Sequence, residues 1–158
     1  MDNDISAFME EAIRLSIANV EEGQGGPFGA VVVKDGKIIA RGMNKVTSHN
    51  DPTAHAEVVA IREACKVLRS FQLDGCEIYT SCEPCPMCLG AIYWARPDKL
   101  YYANSKEDAA AIQFDDQFIY EEMAKPVNER KLFTQQMMRN EAMEAFEKWS
   151  KSTIKTEY

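Results

Sequence analysis

Apolar positions follow two rhythms along this chain, and their alternation predicts an α/β protein. Ile5, Phe8, Met9, Ala12, Ile13, Ile17 and Val20 recur at helical spacing, with Gly23 as the stop. After the turn-rich Gly25-Gly26-Pro27-Phe28-Gly29 comes Ala30-Val31-Val32-Val33, a continuous β-branched run that reads as a central strand. Asp35-Gly36 is a hairpin signal, because both positions of such a turn favour residues that tolerate positive φ, and Lys37 to Arg41 is the returning strand.

Further on, Asn50-Asp51-Pro52-Thr53 supplies turn and cap chemistry ahead of a helix whose buried stripe is expected at Val58, Ile61, Cys65 and Leu68. Glu77 to Ser81 reads as a short strand, and Lys99 to Ala103 as another. Between them Pro84 opens a helix reaching about Ala95, apolar on several faces through Leu89, Ile92 and Trp94 and so expected to be largely buried. Strand, helix and strand in such close succession imply a right-handed parallel crossover. From about Lys106 short helical and extended pieces alternate, ending in a helix that carries Met138, Ala142, Phe146 and Trp149. The whole predicts a mixed sheet with helices on both faces.

Length and composition narrow the class. A chain of 158 residues, 46% hydrophobic and 27% charged, is one globular domain able to bury a core without staples. It holds no run of about 18 apolar residues, which excludes a membrane-spanning helix. The acidic start Met1-Asp2-Asn3-Asp4 leads directly into the amphipathic segment, unlike a secretion signal. Five cysteines, three of them at Cys82, Cys85 and Cys88, suit a reducing compartment and a metal better than a disulfide framework, so the cytoplasm is the expected location. The net charge of −7, with 25 acids against 18 bases, opposes a nucleic-acid partner, which needs basic side chains to displace counterions from phosphates.

The chemistry concentrates in His55-Ala56-Glu57 and Pro84-Cys85-Pro86-Met87-Cys88. One imidazole and two thiols fit tetrahedral zinc with the fourth position left to water, the arrangement of a catalytic site. Cys85 and Cys88 share a helix face at spacing i, i+3, and a helix N-terminus favours their thiolates. Glu57 diverges from His55 on the helix and brackets the open position, where it can carry protons for that water. Blander alternatives are a pair of core cysteines beside a satisfied histidine, a structural zinc site with Cys82 or His49 as fourth ligand, and an iron–sulfur cluster, for which Cys65 and Cys76 are wrongly spaced. Cys82 reads as a strand-end residue behind the ligands.

These segments resemble the cytidine-deaminase-like zinc deaminases, whose signature is H-x-E followed by P-C-x-x-C. The resemblance runs from about Gly25 to Asp116 through Asn50–Glu57 and Thr80–Arg96. Phe114-Asp115-Asp116 and the final Glu157-Tyr158 make it closest to the bacterial guanine deaminase family. That resemblance implies a three-layer α/β/α fold with a mixed sheet of about five strands, and one zinc per chain held by His55, Cys85 and Cys88. It implies hydrolysis of guanine to xanthine and ammonia, with zinc-activated water attacking C2, Glu57 shuttling protons and Asp116 assisting the leaving amine. The purine base would lie near Phe28 and Trp94, its edge read by Asn44 and Asp116. A homodimer is implied too, in which the segment from about residue 138 to 158 crosses to a partner and Tyr158 helps close the partner's site. Guanosine-type nucleosides, cytosine and tRNA adenosine remain alternative substrates, and a zinc-stabilised scaffold is the non-enzymatic alternative.

Overall fold

The computed structural model describes residues 2–158, with side chains from Ile5 onward; Met1 lies outside the described residues. The chain divides into two compact units, one ending at Asp116 and one running from Gln117 to Tyr158.

The first unit is built on four strands. Strand β1 (Gly29–Lys34) and strand β2 (Lys37–Met43) form the expected antiparallel hairpin, with Asp35 at φ 49° and Gly36 at φ 70° making its turn. On its other side β1 pairs antiparallel with β3 (Cys76–Cys82), placing Ala30 opposite Thr80 and Val32 opposite Ile78. Strand β4 (Lys99–Asn104) runs parallel to β3, so the sheet is mixed, in the order β2-β1-β3-β4.

Helices cover both faces of this sheet. Helix α1 (Asp2–Glu21) lies on one, where Ala12 and Leu15 bury against Val31, Val33 and Tyr79. Beyond the single-turn helix α2 (Val46–His49), helices α3 (Ala56–Leu68) and α4 (Pro86–Ala95) cover the other face. There Ala56, Ala60, Ala64, Ile92 and Ala95 bury against Ala30, Val32, Ala40 and Ile78. This is the three-layer α/β/α arrangement the sequence implies.

Three details differ from the reading of the sequence. The sheet has four strands rather than about five, because the region after β4 goes into helices. Helix α5 (Lys106–Ala111) is nucleated by a capping box in which Ser105 and Asp108 satisfy each other's backbone N–H groups. The stripe buried by α3 is Ala56, Ala60 and Ala64, not the bulkier Val58, Ile61, Cys65 and Leu68, which are only partly buried. Small residues are needed because α3 rides directly on Gly42: a Cβ there would lie 2.2 Å from the Ala56 carbonyl oxygen. Helix α4 is half-buried rather than enclosed, inserting Cys88, Ile92 and Ala95 while leaving Tyr93 and Trp94 exposed.

The second unit contains α6 (Gln117–Ala124), a single 3₁₀ turn at Val127–Glu129 and α7 (Arg139–Lys151). Neither α6 nor α7 holds a buried residue. Its fixed points are polar: Glu122 pairs with Lys125 and accepts the Lys131 backbone N–H at 2.6 Å.

Candidate active site

Two helix starts meet beside the end of β3. His55 is the N-cap of α3 and Cys85 the N-cap of α4, both with extended backbone. Their carbonyls accept the first helical bonds, from Val59 at 2.9 Å and Leu89 at 2.8 Å. Pro86 follows Cys85 in the first helical position, where its missing N–H costs nothing. Cys88 lies one turn into α4, on the same face as Cys85.

The side chains converge. The His55 Nδ1 atom is 3.5 Å from Cys85 Sγ and 3.4 Å from Cys88 Sγ. Among the described residues these three form the one cluster with ligand atoms close enough for a metal, all within 4.8 Å of one another. Bond lengths of about 2.0 Å to nitrogen and 2.3 Å to sulfur put a tetrahedral N···S edge at about 3.5 Å, so the arrangement fits zinc. Cys82 and His49 stand outside the cluster; the Cys82 thiol is directed to the Ser105 carbonyl at 3.6 Å. A tetrahedral ion held by these three side chains would keep its fourth position for water.

The thiols are already differentiated. A hydrogen bond from Cys88, aided by His55, holds the Cys85 thiol down at about 4, in the thiolate form that binds metal. Cys88, which gives that hydrogen bond and is buried, is pushed up, and His55 is raised by its bond to Cys85.

Glu57 sits in the first turn of α3 and is 7% exposed. Burial pushes its carboxyl up from the ordinary carboxylate value. Its Oε1 lies 3.3 Å from Thr80 Oγ1, which is also 3.1 Å from the Cys82 carbonyl oxygen. Thr80 is the partner that the sequence reading missed. The signal was there as a polar residue in the core-facing alternation Cys76, Ile78, Thr80, Cys82, but its link to Glu57 spans 23 residues.

Phe28 packs edge-on against Phe114, with ring centroids 5.0 Å apart and planes at 89°. Asn44 is buried; its N–H donates to the Phe28 carbonyl at 3.2 Å, and the next residue, Lys45, donates to Ala54 at 2.9 Å. Backbone bonds therefore lace Phe28 through Asn44 to the residue preceding His55. Asp116 feels the Cys85 charge, and its carboxyl is raised chiefly by burial. Trp94 lies off the α4 face that carries Cys88 and is 63% exposed. Tyr158 belongs to the second unit and is 70% exposed.

Residues 2–104 match the family of the cytidine and deoxycytidylate deaminase zinc-binding region, and the chain belongs to that family. Within it, the chain is 57% identical over 151 residues to the guanine deaminase of Bacillus subtilis (strain 168), spanning 96% of this chain and 97% of that one. It superposes on the crystal structure of guanine deaminase from Bacillus subtilis with a TM-score of 0.94 at 56% identity, covering 97% of this chain and 98% of the other. A tRNA-specific adenosine deaminase of Aquifex aeolicus (strain VF5) is 43% identical over 96 residues, 61% of this chain and 63% of that protein. No described helix is long and apolar enough to cross a membrane.

Proposed function

We propose that this chain is a zinc-dependent guanine aminohydrolase, converting guanine and water to xanthine and ammonia in the cytoplasm. One observation carries the choice of substrate: likeness to guanine deaminase extends over 96% of the chain, whereas likeness to the tRNA deaminase covers 61%. The zinc centre itself does not choose, because such deaminases share it.

When bound by His55, Cys85 and Cys88, zinc supplies a water acidified to a pKa of about 7. Glu57 would take one proton from that water and hand it to guanine N3, and would then pass the remaining hydroxyl proton to the amine nitrogen, which leaves as ammonia. Thr80 keeps the carboxyl turned toward the ligands. Asp116, an acceptor when ionised, matches the N1–H and amine donors of guanine and helps the amine leave. Asn44 takes the complementary role. Its Oδ1 is occupied by the Val46 N–H at 3.2 Å, so the amide N–H₂ is the part offered to an acceptor on the base. Phe28, braced by Phe114, is one wall of the base site, and Trp94 lies at its rim.

We assign the segment from about residue 138 onward to a partner chain in a homodimer, with Tyr158 closing the partner's site against water. Apolar residues that the single chain leaves exposed support this, Phe146 at 71% and Ile154 at 92% among them.

Ammonia release measured over guanine, guanosine, cytosine, adenine and tRNA tests the reading. Guanine alone should be turned over rapidly. Faster release from cytosine or from tRNA adenosine would replace this substrate with that one, and release from none would leave a zinc-stabilised scaffold.

A further inference from the structure

Asn19 is fully buried near the end of α1, yet it belongs to no hydrophobic cluster. Its Nδ2 donates twice, to the Gly26 carbonyl at 2.8 Å and to the Asn44 carbonyl at 2.9 Å. Its Oδ1 is buried with no hydrogen-bond partner among the described residues. An orphaned buried acceptor costs stability, and buried polar atoms are otherwise nearly always satisfied. The residue is thus held for its two donors.

Both carbonyls belong to the segments that frame the base site. Gly26 lies two residues before Phe28, and a Cβ on it would meet the rings of Phe28 and Phe114 at 3.2 and 3.4 Å. Gly25 approaches so closely that a Cβ there would stand 2.4 Å from the Asn44 carbonyl oxygen. With its carbonyl tied to Asn19, its N–H to Phe28 and its Oδ1 to Val46, Asn44 is held from three sides. Only its amide N–H₂ is left unengaged among the described residues.

We propose that Asn19 is a positioning residue for base recognition: by fixing the Asn44 carbonyl it aims the Asn44 amide at the purine. This rests on the assignment of Asn44 to the base site. Asn19 touches neither substrate nor metal, so its loss acts on guanine binding through Asn44 and leaves the zinc centre and proton transfer in place. A residue that merely stabilised the fold would not separate KM from kcat in this way.

The test is a double-variant cycle on the full-length zinc protein, reading kcat, KM for guanine and zinc content. Asn19→Leu keeps the volume and removes both donors. It should raise KM roughly 10- to 30-fold, the equivalent of one to two buried hydrogen bonds, with zinc retained and kcat changed less than about threefold. In an Asn44→Ala background the same change should raise KM by only about threefold or less, because the two residues act as one unit. Asn19→Ala, which cannot overfill the site, should repeat the pattern. Full multiplication of the two effects, or a parallel fall of kcat and zinc content, overturns the proposal. So does failure of both Asn19 variants to fold, which would make the residue structural. If Asn44→Ala itself leaves KM unchanged, the assignment of Asn44 to the base site fails, a result separate from failed coupling.

Discussion

The residues up to Asp116 bury part of their apolar side chains in a core, while the helices from Gln117 onward bury none. In the first region such residues build two cores, one on each face of the sheet, and the metal-binding cluster sits where two helices start beside β3. In the second region Phe118, Leu132, Phe133, Met137, Phe146 and Trp149 are all exposed. Helical spacing of apolar residues predicts a helix equally well in both, but it does not by itself set how deeply those residues are buried. Exposed apolar side chains of this kind are what the proposed partner contact would cover. The first region carries the metal-binding cluster; on the proposed reading, the second would close a partner's site.

That contrast can be broken at several points. The largest effect is expected from the metal ligands. Cys85→Ala or Cys88→Ala should lose zinc, about one ion per chain in the parent by elemental analysis, and with it all guanine turnover. Full zinc occupancy in both variants would displace the site.

Removing Lys155 to Tyr158 probes the other region. Zinc content and the unfolding midpoint should hold while turnover falls sharply. Mixing that truncated chain with a Glu57→Gln chain should recover part of the activity, since one mixed site would combine an intact acid with an intact tail. Undiminished turnover in the truncated chain alone would remove the lid.

Gly42→Ala should be the costliest single methyl group in the first region. Its Cβ would meet backbone at 2.2 Å and 2.6 Å, on Ala56 and Ala60, with no flexible side chain to yield. A loss of about 2–3 kcal/mol in urea unfolding is expected. An unchanged midpoint would mean that α3 can lift from the sheet.

The smallest effect is electrostatic. Hydrogen bonds from Arg14 and Arg41 hold the Glu11 carboxyl down at about 2. A carboxyl depressed in the folded state contributes stability above its ordinary value of 4.5, and that contribution fades as pH falls from there toward 2. Both arginines are largely solvent-exposed, so Arg41→Ala should cost no more than about 1 kcal/mol at neutral pH. The difference from the parent should shrink on acidification; a constant difference would locate the effect in packing.

What the sequence made legible was local chemistry. The hairpin was visible because Asp35-Gly36 can adopt positive φ, and the metal cluster because His55-x-Glu57 and Cys85-x-x-Cys88 each lie within one turn. Depth of burial was less visible. Hydrophobicity ranked Ile61 and Leu68 above Ala60 and Ala64, whereas close approach to Gly42 reverses that order. Helix α4 is apolar all round, yet Trp94 and Tyr93 face outward, and composition does not separate a core face from a face meant for another surface. Thr80 and Asn19 bond to residues 23 and 25 positions away, so no local pattern announces them.

On the proposed reading, Glu57 carries protons for a site whose metal is held by other side chains. Glu57→Gln, assayed on one preparation for zinc content and guanine turnover together, addresses it directly. Zinc should stay at the parent level and turnover should fall by roughly 10²- to 10⁴-fold, because the amide keeps the shape but can neither accept nor release a proton near neutral pH. Near-native turnover with zinc in place would contradict it, and so would loss of zinc, which would make Glu57 a ligand.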